Sequence, residues 1–117
     1  MDKRELEKRT KDFALRIIKL VAELPKGRIG DVLGYQILKS ATSIGANYRE
    51  ANRAASKADF SYKINIAERE ASETLYWLEL LGESGIVPEE RLSPLMAECD
   101  ELVAIFTAIG KTSKAKR

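Results

Sequence analysis

Four stretches of this 117-residue chain repeat apolar side chains at steps of three and four, and short breaks rich in glycine and proline separate them. Such a period lets a helix turn one face to a core, whereas a half-buried strand would alternate. The first run covers about residues 2–24, with Leu6, Phe13, Ile17, Leu20 and Leu24 in register, and Pro25, Gly27 and Gly30 interrupt it. The second covers about 31–54 and carries Leu33, Ile37, Ala41, Ile44, Tyr48 and Ala51 in a near-heptad pattern. Small residues beside that stripe, among them Ser40, Gly45 and Ala46, let a neighbouring backbone come close. The third covers about 57–83, with Ser56 placed as an N-cap and Asp59 as its acidic partner. After Gly82, Gly85 and Pro88, the fourth covers about 94–110, with Ser93 and Pro94 as N-cap and first helical residue and Gly110 as the stop. Residues 111–117 read as a basic tail.

Breaks this short force consecutive helices to lie antiparallel and side by side. The expectation is one all-α domain over residues 1–117, an antiparallel up-down four-helix bundle. Aromatics make up only 7% of the chain, so leucine, isoleucine, valine and alanine must fill the core. The third run has more apolar surface than one bundle needs. Besides its inward stripe it carries a second one, Tyr62, Ile66, Tyr76 and Leu80. This predicts an oligomer interface covered by a second subunit.

Chemistry is scarce. Carboxylates on several helices raise the possibility of a di-iron centre, but such bundles use Glu-x-x-His pairs and this chain has no histidine. Cys99, alone and in an apolar stripe, excludes a disulfide within the chain and a thiolate cage, and reads as core. The segment Pro25 to Arg28 is too short for a phosphate loop. No apolar run approaches the ~20 residues of a membrane span, and no charged-then-apolar leader opens the chain. The expectation is a cytoplasmic protein that is not an enzyme and takes neither metal nor cofactor.

Net charge is only +2, yet the charges are segregated. Between Pro25 and Lys57 there are six basic and two acidic residues, and between Ala58 and Ile86 two basic and six acidic. An even number of antiparallel helices brings both chain ends to one pole, where their cations combine. Candidate phosphate contacts are therefore Lys3, Arg4, Lys8, Lys26, Arg28, Lys111, Lys114 and Lys116. The leading expectation is an oligomeric module associated with RNA or another nucleic acid. The competing one is a structural adaptor that binds a partner protein through its helical surface.

The segment Ser43, Ile44, Asn47, Glu50 resembles the Ser-Ile-x-x-Asn-x-x-Glu signature of the 23S rRNA intervening-sequence protein family. Residues Gly34 to Ser40 and Glu70 to Leu78 are similar to its flanking patterns, so the likeness spans about residues 13–105. The resemblance implies a left-handed antiparallel bundle that assembles as a homopentamer with a central channel. A glycine follows the signature glutamate in many members, and here it is Ala51. Asn47 and Glu50, polar within a small-residue helix, need partners, and Arg69, Ser72 or Glu73 are the candidates on the third helix. They face either the core or a subunit boundary, and Ser43, Asn47 and Glu50 together read as structural.

Overall fold

The computed structural model describes residues 1–115, which form helices α1 (Lys3–Ala22), α2 (Arg28–Asn52), α3 (Lys57–Glu83) and α4 (Glu89–Ala115). Each helix packs against its neighbours in the order α1–α2–α3–α4–α1, and the backbones of the diagonal pairs do not come close. Thr10 sits opposite Gly45 and Val21 opposite Gly34, so α1 and α2 run antiparallel. Thr74 meets Ser40 and Lys63 meets Glu50, and Thr107 meets Glu68 and Ser113 meets Ser61, which sets the same relation for α2–α3 and α3–α4. The result is an up-down four-helix bundle, a rod of 46 × 21 × 20 Å. Both ends of the described chain lie at one pole, and the turns α1–α2 and α3–α4 lie at the other.

Phe13, Ile17, Ile37, Ile44, Ile64, Leu78, Leu102 and Phe106 are fully buried along the axis. Tyr48 meets Phe106 edge to face at 5.5 Å. Alanines 41, 67 and 71, also fully buried, bring α2 and α3 close. At Gly45 a Cβ would stand 3.0 Å from the Thr10 hydroxyl, so α1 can approach α2 there only because the side chain is missing.

The helix ends are where the chain departs from its apolar pattern. Asp2 caps α1 by accepting from the Glu5 amide, and Ser56 caps α3 by accepting from Asp59. Gly30, expected to break the chain, lies inside the first turn of α2. A Cβ there would stand 2.3 Å from the Pro25 carbonyl, so this glycine serves a close approach of the loop. The turn itself is made by Gly27, at a φ of 137°. Helix α4 begins at Glu89, not at Pro94. Burying Leu92 against Gly82 requires helix before the proline, and Pro94 itself is exposed near the helix start. Nor does Gly110 end α4. It packs beside Ile64 and Glu68, and the helix continues so that the Ser113 hydroxyl meets that of Ser61.

Candidate functional site

Antiparallel packing gathers Lys3, Arg4 and Lys8 of α1 with Lys111 and Lys114 of α4 at the pole of the chain ends, all exposed. Arg53, in the α2–α3 turn, and Lys57, the first residue of α3, join them there, and sequence reasoning did not single them out. Lys8 is partly engaged, 2.7 Å from Asp12 one turn along α1. Lys26 and Arg28 do not belong to this group. Lys26 sits in the α1–α2 turn and Arg28 opens α2, both at the opposite pole, about 30 Å away by the rise of a 20-residue helix. Lys116 lies outside the described residues. The expected single surface is therefore a basic pole of seven described cations, with two more at the far end.

An apolar groove of about 440 Å³ opens at the same pole, lined by Lys57, Phe60, Ala108, Ile109, Thr112 and Ser113. Ending the fourth helix at Gly110 hid it, because Thr112 and Ser113 form one of its walls.

The signature residues lie along the edge where α2 meets α3. The Asn47 amide donates to the Ser43 carbonyl at 2.8 Å, within its own helix, and the Ser43 hydroxyl donates to the Lys39 carbonyl at 2.8 Å. Glu50 accepts from Lys63 at 2.7 Å. Arg69, Ser72 and Glu73 are therefore not the partners of this pair. The register of α2 against α3 places Lys63 beside Glu50, and Arg69, Ser72 and Glu73 are all exposed. Lys63 is held charged above its ordinary range, chiefly by the hydrogen bond to Glu50. Half-buried Asn47 and exposed Glu50 face neither the core nor open solvent alone, but the rim of the helix pair.

Further along that edge stands Glu70, half-buried. Burial is the main cause of its raised pKa, and the nearby charge of Glu73 adds to it, against the Ser43 hydroxyl and Lys39. The second α3 stripe runs past these carboxylates. Tyr62 and Tyr76 are exposed, and Ile66 and Leu80 are partly buried. Tyr76 stacks edge-on against Trp77 at 5.1 Å.

On the other side of the rod, Arg9 forks onto Glu98 through Nε and Nη2, both at 2.7 Å, and reaches Glu101 at 2.9 Å. These bonds hold the guanidinium charged more firmly than usual. Cys99 is fully buried, donates to the Ala71 carbonyl at 3.2 Å and has its thiol pushed up to about 12 by burial. A thiol held protonated in this way is a poor nucleophile at neutral pH. Among the described residues no three of Cys, Asp and Glu gather as a metal site, and no helix is long and apolar enough to cross a membrane.

A crystal structure of a protein of unknown function from the S23 ribosomal protein family of Bacteroides thetaiotaomicron VPI-5482 superposes with a TM-score of 0.87. The two chains are 40% identical over 95% of this chain and 99% of that one. None of the curated proteins matches. The family model described as 23S rRNA-intervening sequence protein matches residues 3–108, from the start of α1 almost to the end of α4. With a relative of the same fold at 40% identity, that span settles the kinship: the chain belongs to the 23S rRNA-intervening sequence protein family.

Proposed function

We propose that this protein is a non-enzymatic, oligomeric module that holds a nucleic-acid backbone on its basic pole. The observation that carries the reading is the gathering of Lys3, Arg4, Lys8, Arg53, Lys57, Lys111 and Lys114 from four helix ends. Flexible surface cations of this kind neutralise phosphates without reading bases. RNA is the favoured ligand, because the matched family is described by its place in rRNA; a DNA duplex is the control. The module acts in the cytoplasm as a homo-oligomer, a pentamer by the family's likeness, and needs neither metal nor cofactor.

Binding of nuclease-treated protein to a structured rRNA fragment and to an unrelated duplex, across a salt series, tests this. Six or more phosphate contacts lower affinity about a thousandfold between about 50 and 200 mM salt. Replacing Lys3, Arg4, Lys8, Lys111, Lys114 and Lys116 together should remove most of the affinity and flatten the salt slope. Unchanged affinity in that variant overturns the contact surface, and absence of binding to both ligands overturns the function.

The exposed tyrosines of α3 favour a second reading, an adaptor that captures another protein on Tyr62, Ile66, Tyr76 and Leu80. Capture of one defined protein that survives nuclease and is lost in Y62E/Y76E would support it.

A further inference from the structure

The end of α4 outruns the helix beside it. Arg9 reaches Glu98 and Glu101, and α1 begins at Lys3, less than about two turns before Arg9. From Glu101, α4 continues to Ala115, about four turns, so about two turns of it extend past the start of α1. Over that stretch α4 lies along α3 with no α1 in front. Phe60 and Ile109 are only half-buried there, although Ile64 and Phe106, one turn further in on the same stripes, are fully buried. With Ala108 they form the apolar lining of the groove of about 440 Å³ at the basic pole.

The rim of this groove has a different chemistry. Lys57 stands in its wall, and the hydroxyls of Thr112 and Ser113 line the α4 side. Arg53 lies in the turn just before α3, and Lys111 lies one turn along α4 from Ala108, both exposed. An occupant therefore needs a compact apolar part, polar atoms at its edge, and negative charge immediately outside. An acyl chain with an acidic head lacks the second of these. A nucleobase has a flat face for the Phe60 ring, an edge of donors and acceptors for the hydroxyls, and a phosphate on either side for the cations.

We infer that the groove receives one unpaired base of an RNA strand whose phosphates lie on the basic pole. The base stacks on Phe60 and turns its edge to Thr112. This rests on the phosphate-binding reading above and adds a ligand class to it: loops, bulges and strand ends, whose bases are free, rather than continuous duplex. Charge alone would not make that choice, because a duplex carries as many phosphates and keeps its bases stacked.

Full-length, nuclease-treated protein tests it with three RNAs bearing equal numbers of phosphates: an unpaired strand containing one 2-aminopurine, the same strand made abasic, and a blunt duplex. The unpaired strand should bind roughly fivefold to a hundredfold more tightly than the abasic one, the value of one stacked base, and its 2-aminopurine fluorescence should be quenched. Phe60→Leu keeps apolar bulk without the ring and should lose both the preference and the quench. Thr112→Trp, at an exposed position outside the core, should fill the groove and lower the affinity for the unpaired strand to that for the abasic one. Circular dichroism checks that both variants remain helical. Equal binding of the unpaired and abasic strands, or a folded Thr112→Trp that keeps the preference, overturns the groove as a base site while the phosphate surface stands. Failure of all three RNAs to bind overturns the phosphate-binding reading as well.

Discussion

Between α2, α3 and α4 the chain buries Ile44, Ile64, Leu78, Leu102 and Phe106, and its polar groups there bond in pairs. The Thr74 hydroxyl donates to Ser40 at 2.8 Å and the Cys99 thiol donates to the Ala71 carbonyl. The seam between α1 and α4 is built differently. There the Arg9 fork reaches Glu98 and Glu101 at one level, and Arg91 pairs with Glu23 at another. Neither pair is shut off from water. One side of the bundle therefore draws its stability from removing apolar surface, which salt hardly changes, and the other leans on charges that salt weakens. Helix α1 should be the first element to loosen when conditions change, because its hold on α4 is of the second kind.

The contrast is broken most forcefully from the apolar side. Phe106→Ala removes a fully buried ring that touches Tyr48, and should lower unfolding free energy by about 3–5 kcal/mol in urea melts. That is a large part of what a domain of this size has. A loss near zero would mean that the axis of the bundle is not packed as described.

A smaller effect sharpens the polar part of the same interior. Thr74→Val leaves Ser40 without its donor and should cost about 1–2 kcal/mol. Ser40 still donates to the Ile37 carbonyl at 3.2 Å, so the loss falls on its acceptor side. Adding Ser40→Ala should then cost less than the two single changes summed, since no polar group remains to be satisfied. Strict additivity in that cycle would show that the two hydroxyls do not depend on each other.

The seam gives less. Arg9→Met keeps the stem of the side chain but leaves Glu98 and Glu101 facing each other without a cation, at a cost of about 1 kcal/mol. Unlike the core variants, this deficit should shrink in molar salt, and hydrogen exchange should rise in α1 ahead of α3. Equal exchange in the two helices would remove the contrast between the seams.

How far the chain could be read before its structure was known follows the same division. Leu6, Phe13, Ile17 and Leu20 on α1, and Ile37, Ala41, Ile44, Tyr48 and Ala51 on α2, are buried as their spacing requires, because burial repeats with the helical turn. Helix ends escaped the reading, since they depend on distant contacts. Pro94 and Gly110 are breakers by local chemistry, yet Leu92 packing on Gly82 and Ser113 meeting Ser61 extend α4 past both. Candidate contacts suffered from the same blindness. That Lys3 and Lys111 share a pole follows from counting helices, and by the same count Lys26 and Arg28 belong to the other pole. The partner of Glu50 is Lys63 because of the interhelical register, a quantity the sequence does not display.

The smallest prediction reverses the usual sign. Glu70 binds its proton more tightly in the folded chain than in the unfolded one, first because it is half-buried and then because Glu73 is near; Lys39 and the Ser43 hydroxyl only partly offset this. Folding therefore takes up a proton in the window above the ordinary glutamate value. Glu70's contribution is full below that value and is lost as pH rises through its raised folded pKa, so at neutral pH its charge works against the fold. Glu70→Gln keeps the shape and the ability to accept from Ser43 while removing that charge. The variant should melt about 1–3 °C above wild type at neutral pH. On acidification the two curves should converge, because the wild-type carboxyl is then neutral too. A variant that melts below wild type at neutral pH would show that the Glu70 charge is used by the fold, and that the α2–α3 edge is held by charge like the α1–α4 seam across the rod.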